Sequence, residues 1–153
     1  GFFFAMQNGS TDAMTPTEFE KFGLEYDRRI LNALARSEFL LLHVCTRNRG
    51  DRFYTDKIAK YPVHAINWWD RGSPLTLPKA REMYGHKFCL VGGLDHKETL
   101  LKASADQVER EAKEALESVG KKGHFMLAPG CTVSHKAPEE NLYAAISAAS
   151  KYS

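Results

Sequence analysis

Phe39-Leu40-Leu41-Leu42-His43-Val44-Cys45 is the stretch on which the fold turns. It is apolar at consecutive positions and of strand length, the pattern of a parallel sheet buried on both faces. A polar loop over residues 46–50 closes it, and a helix is expected around residues 53–60. Upstream, Thr15, Pro16 and Glu18 form a capping box with proline in the first turn. They open a helix that runs to about Ala35, with Phe19, Phe22, Leu24, Ile30, Leu31 and Leu34 as its apolar positions. Before that helix, Phe2–Met6 forms a short apolar strand.

The same alternation continues downstream. Residues 63–69 form a third strand, ending in Asn67-Trp68-Trp69-Asp70, and a helix follows near 77–84. Residues 88–94 make a fourth strand ending in Gly92-Gly93, and Ser104 with Gln107 caps a long regular helix to about Val119. Residues 124–129 are the fifth strand, and Pro138-Glu139-Glu140 starts a last helix with Leu142, Ala145 and Ile146 turned inward. Strands alternating with helices in this way predict an α/β fold of right-handed βαβ units with parallel strands, as one domain over 1–153. Ligands in such folds sit at the C-terminal ends of the strands. Gln7, Asn8, His43, Cys45, residues 67–70, Gly92, Gly93 and Cys131 all fall there.

Composition narrows the function. The chain has 153 residues and a formal charge of +2, too small to argue for nucleic acid. Its apolar runs are too short to span a bilayer, which argues against a membrane role. Three cysteines without a spaced framework fit a reducing, cytoplasmic setting. The opening Gly1-Phe2-Phe3-Phe4 lacks the basic start of a signal peptide. It reads directly as a strand, so a piece of a longer protein, or a chain with a short unseen extension, is expected.

His43 and Cys45, two apart on a strand, point to the same face. Cys131, in Ala128-Pro129-Gly130-Cys131, answers them from the C-terminal end. Imidazole and thiolate are the ligands zinc prefers, and three protein ligands leave a fourth position open. A thiol entering that position loses its proton and becomes a nucleophile, which is the chemistry of methyl transfer to sulfur. Taken alone, His43 would read as a core histidine bonded to a carbonyl. Cys89 reads as a small buried hydrophobe. His64, His86, His96 and His124 read as structural or solvated, and His135 sits on a loop near Cys131.

Several segments together resemble the uroporphyrinogen decarboxylase superfamily. They are the opening Gly-Phe-Phe-Phe, His43-Val44-Cys45, residues 91–95 (Val-Gly-Gly-Leu-Asp), residues 123–131 ending in Ala-Pro-Gly-Cys, and Pro138-Glu139-Glu140-Asn141. The resemblance implies a (β/α)8 TIM barrel, of which this chain supplies the C-terminal five strand–helix units, the fourth to the eighth. His43, Cys45 and Cys131 match the zinc ligands of the corrinoid-linked methyltransferase branch. That match implies a zinc cofactor, a small thiol substrate, and a partner corrinoid protein carrying methylcobalamin or a similar methylcorrinoid. It also implies a carboxylate for the fourth zinc position, for which Asp70 is the nearest residue. Gln7 is expected to orient substrate or to belong to a turn. Trp68 and Trp69 cap the core or stack on a flat substrate, and Gly92 allows close approach of a ligand or of the next helix. The metal-free decarboxylase branch is the alternative, with Arg47, Arg49 and Arg71 near the exits to receive carboxylates. A third reading is an inactive barrel fragment, expected to form a homo-oligomer that covers its open edges.

Overall fold

In the computed structural model, residues 1–152 are described, with Lys122 by its backbone alone. Five strands form one parallel sheet in sequential order: β1 (Phe2–Met6), β2 (Leu40–Val44), β3 (Ala65–Trp68), β4 (Cys89–Leu94) and β5 (Phe125–Pro129). Between and after them run α1 (Pro16–Glu18), α2 (Glu25–Leu34), α3 (Thr55–Ile58), α4 (Leu77–Tyr84), α5 (Thr99–Lys102), α6 (Ala105–Val119) and α7 (Glu139–Tyr152). The capping boxes at Thr15 and Ser104 both form. A π-helical turn, Phe19–Leu24, joins α1 to α2.

The sheet uses its two faces differently. Leu40, Leu42, Val44, Ile66, Trp68 and Leu90 pack against Phe19, Leu31, Ile58, Leu77, Ala80, Tyr84, Ala115 and Val119 from the helical side. The opposite face carries Phe3, Ala5, Leu41, His43, Asn67 and Val91 along an open cavity. The apolar run at 39–45 therefore buries one face under helices and turns the other toward a site. Strand alternation makes this division, since successive residues point to opposite sides. His43 pairs in register with Ala5 and Asn67, so the polar residues of β2 and β3 stand side by side with only alanine beside them on β1.

Two sequence expectations fail in detail. Phe22 and Ile30 are exposed, and Phe19 and Leu31 carry the buried stripe of that helical segment instead. Leu142 and Ile146 are also exposed, Ile146 at 64%, while Asn141 and Ala148 are the buried residues of α7. Ala145 is half-buried beside the cluster of Leu94, Leu100, Val108, Ala112 and Ala148. Helical periodicity marks an apolar stripe, but a stripe is buried only where another element lies across it. No described helix is long and apolar enough to cross a membrane.

Candidate metal centre

His43 is the penultimate residue of β2, and Cys45 follows the strand end on the same side. The Cys45 amide is held by the Met6 carbonyl at 3.0 Å, which extends the β1–β2 pairing one step beyond the strand. Cys131 arrives from the exit of β5. Gly130 makes that approach possible: a Cβ there would lie 2.7 Å from Trp69 Cα and 3.1 Å from the Trp68 carbonyl oxygen. With hydrogen in its place, the chain crosses the end of β3 in close contact and donates its Gly130 amide to the Leu94 carbonyl.

The three ligand atoms offered by His43, Cys45 and Cys131 lie within 4.8 Å of one another. Cys131 Sγ is 3.5 Å from His43 Nε2. A tetrahedral ion bound at about 2.0–2.3 Å by nitrogen and sulfur requires donors at such separations, so the set fits zinc. The His43 hydrogen bond lowers the Cys131 thiol to about 7 against the opposing cost of burial, with a further hydrogen bond from the Thr132 amide. Burial and the neighbouring Cys131 push Cys45 the other way, partly offset by the charges of Arg47 and Lys97. Of two adjacent thiols, Cys131 thus ionises first.

A cavity of about 590 Å³ opens on this cluster, walled by Phe3, Leu41, Val91, Pro129 and Val133, with Gln7 on its rim. Phe3 stacks on the His43 ring at 5.7 Å between centroids. His43 is itself buried, and its Nδ1 lies 2.6 Å from Asn67 Oδ1. The Asn67 Nδ2 donates to the carbonyls of Val91 at 2.8 Å and Pro129 at 3.1 Å.

The other residues singled out from the sequence lie elsewhere. Asp70 does not join the cluster: its Oδ1 accepts from the Gly93 amide at 3.0 Å, and it lines a separate cavity with Leu77, Glu114 and Ser118 on the helical side. The parity of β3 explains the difference. Asn67 faces the site, so Trp68 and Asp70 face away. Burial pushes Asp70 up to about 6, opposed by the Gly93 hydrogen bond and by Arg71. Trp68 is fully buried in the core at 0% exposure, and its Nε1 donates to the Leu75 carbonyl at 2.8 Å. It cannot stack on a substrate. Gly92 also faces away, since a Cβ on it would meet Asp70 Oδ1 at 2.7 Å. Its missing side chain serves packing rather than a ligand.

Trp69 caps the sheet rather than the cavity. It is buried edge-on against His96, with the Arg49 guanidinium and the Lys97 ammonium over its ring. Arg49 further bonds Asp95 at 3.0 Å and the Arg71 carbonyl at 2.8 Å. Arg71 holds the Gly93 carbonyl, Glu114 and the Glu111 carbonyl. Two of the three arginines near the exits are therefore engaged in the scaffold. His64 is structural, accepting from the Leu40 amide through Nδ1. His96 is buried beside Trp69, and burial, aided by the Lys97 charge against the pull of Asp95, holds it below the ordinary imidazole range. Asn67 is the residue whose role sequence reasoning missed. The available signal was an amide inside the short strand Ala65-Ile66-Asn67-Trp68, where a buried polar group needs partners on neighbouring strands.

Comparison with known proteins bears on the fold and the family. A methyltransferase from Methanosarcina mazei superposes with a TM-score of 0.78 at 26% identity, over 98% of this chain and 41% of its own. The five strand–helix units are accordingly a section of a TIM barrel. Uroporphyrinogen decarboxylase from Geobacter metallireducens is 32% identical over 130 residues, 84% of this chain and 35% of its own length. Methylcobamide:CoM methyltransferase MtaA from Methanosarcina barkeri (strain Fusaro) is 35% identical over 77 residues, 50% of this chain and 22% of its own. The chain thus spans about a third of the curated decarboxylase it matches. The profile described as Uroporphyrinogen decarboxylase (URO-D) matches residues 3–152, nearly all of the chain. By that match, the chain belongs to the uroporphyrinogen decarboxylase family.

Proposed function

We propose that this chain is the C-terminal part of a zinc-dependent methyltransferase, which moves a methyl group from a methylcorrinoid on a partner protein to a small thiol. The observation that carries the reading is the convergence of His43, Cys45 and Cys131 from the ends of β2 and β5. Zinc held there would lower the pKa of an incoming thiol and keep its sulfur as a thiolate. The protein supplies the rest. His43 and the two cysteines occupy one side of the site and leave the cavity side free for the acceptor. Phe3, Leu41 and Val91 keep that side apolar, which favours a thiolate held by metal over one held by water. Gln7 on the rim offers an amide to the acceptor's tail. The acceptor thiol would give up its proton to solvent on binding, and its sulfur would take the methyl group. The electron pair of the broken cobalt–carbon bond would stay with the corrinoid substrate, so no proton donor would be needed from this chain. The partner would dock over the strand exits in the cytoplasm.

Porphyrinogen decarboxylation is the second reading, favoured by the match to decarboxylases over 84% of the chain. It requires no metal. Zinc per chain, measured by elemental analysis beside Cys131→Ser, separates the two. The first reading expects about one zinc in the parent and a clear loss in the variant. Folded, reduced parent protein that holds no zinc, and takes up none when it is added, would overturn it.

A further inference from the structure

We propose that Asn67 is the positioning residue of the metal centre. It sets His43 as the Nδ1–H tautomer and ties that imidazole to the strand that delivers Cys131. The inference deepens the zinc reading and rests on it for the ligand, though its first observable does not.

The hydrogen bonds of one amide fix the assignment. Two of its contacts are carbonyl oxygens, on Val91 and Pro129, and carbonyls only accept. The nitrogen of the amide must face them, because the reverse orientation would set oxygen against two oxygens. Oδ1 is then the atom 2.6 Å from His43 Nδ1, so Nδ1 carries the proton. The lone pair is left on Nε2, the atom that faces Cys131 Sγ. The imidazole is thereby presented to a metal through Nε2, in the orientation that a ligand requires.

The same side chain spans four strands. Asn67 lies on β3, its acceptor partner is on β2, and its two carbonyl partners are on β4 and β5. Pro129 is two residues before Cys131, so one amide links the positions of ligands that are far apart in the chain. Only a carboxamide has the two donors and one acceptor this geometry uses. A hydroxyl is too small to serve three strands, and a carboxylate would face the two carbonyls with charge.

The test has two readouts. Long-range proton–nitrogen NMR correlation on metal-free protein with labelled histidine reports the tautomer directly. The parent and Asn67→Asp, which still accepts from Nδ1, are expected to show His43 as Nδ1–H, and Asn67→Leu is expected to lose that preference. Zinc affinity by competition with a chromophoric chelator is the second readout. Asn67→Leu should weaken it by about 10–100-fold, the usual effect of losing such a partner, with Asn67→Asp, which keeps the acceptor but loses both donors, recovering only part of the loss. His43 found as Nε2–H in the parent overturns the proposal. So does a folded Asn67→Leu protein with parental affinity. If Asn67→Leu does not fold, the tautomer in the parent decides. A parent that shows Nδ1–H yet binds no zinc removes the metal reading and leaves the tautomer assignment standing.

Discussion

Cys131 Sγ stands 3.5 Å from His43 Nε2, although 88 positions separate the two residues in the chain. The contact joins the exits of β2 and β5 across the open face of the sheet. The approach of this nitrogen to the sulfur is the largest influence lowering Cys131 to about 7. Burial pushes Cys89 and Cys45 in the opposite direction. The three thiols therefore differ in readiness to ionise in the metal-free chain.

Iodoacetamide should distinguish them in metal-free, reduced protein. A thiolate reacts and a thiol does not, so modification of Cys131 rises with pH and reaches half its plateau near pH 7. Cys45 and Cys89 should reach theirs only above pH 9, and at pH 7 Cys131 should react at least about tenfold faster. In His43→Ala the Cys131 midpoint should move up toward 9, the ordinary value for a thiol. Peptide-resolved mass spectrometry reads each site, and one common midpoint near pH 9 would contradict the assignment.

Gly130 is the second lever on the same contact. In Gly130→Ala the new methyl group would fall 2.7 Å from Trp69 Cα, which is backbone and cannot rotate aside. Either the β5 exit or the end of β3 must shift, at a cost of about 1–3 kcal/mol by the usual scale of overpacking. The shift carries Cys131 away from His43. Chemical denaturation should show the loss, and the low reactivity midpoint of Cys131 should rise with it. A variant as stable as the parent, with its midpoint still near 7, would mean that this approach is not tight.

Much of this was legible in the sequence, and the gaps have physical causes. The five strands and the capped helices at Thr15 and Ser104 follow from local signals, namely apolar runs and side chains that satisfy first-turn amides. His43 and Cys45 share a face by parity alone. The sequence puts Asp70 at the site and leaves Trp68 between core and substrate, because parity depends on which residue of β3 faces inward, and Asn67 decides that through partners on three other strands. Leu142 and Ile146 read as core because a stripe looks the same whether or not an element covers it. The partial-barrel reading came from the resemblance and agrees with the superposition on the methyltransferase from Methanosarcina mazei.

Asp70 should betray its burial in the pH dependence of stability. Its carboxyl is 4% exposed and is pushed from 3.8 up to about 6 in the folded chain. Between those values the unfolded chain gives up the proton while the folded chain keeps it, so this group makes stability fall as pH rises. At about 1.4 kcal/mol per pH unit the fall approaches about 3 kcal/mol, complete above pH 6 and absent below pH 3.8. Asn in its place keeps an acceptor for the Gly93 amide and does not titrate. The difference in unfolding free energy between Asp70→Asn and parent should therefore grow in favour of the variant from pH 4 to pH 6.5. A difference that stays flat over that range would show that Asp70 titrates normally.

The open edges of the sheet make the last prediction. Phe2 and Phe3 on β1 are more than half exposed, Phe3 at 65%, and Met126 on β5 is also exposed. Beyond β5, Leu142 and Ile146 of α7 border an apolar groove with Leu127 and Val133. Among the described residues no strand pairs with the outer edge of β1 or of β5, and such edges pair with other chains unless covered. The isolated 153-residue chain should therefore self-associate at micromolar concentration. Phe3→Lys combined with Ile146→Lys should shift light scattering toward the monomer mass by placing charge on both edges. The single variant Tyr143→Lys, on an exposed α7 position outside that groove, should leave the association unchanged. If the parent chain scatters as a monomer across that range, the edges are closed by the chain's own surface residues and the assignment of an open sheet to the isolated chain fails.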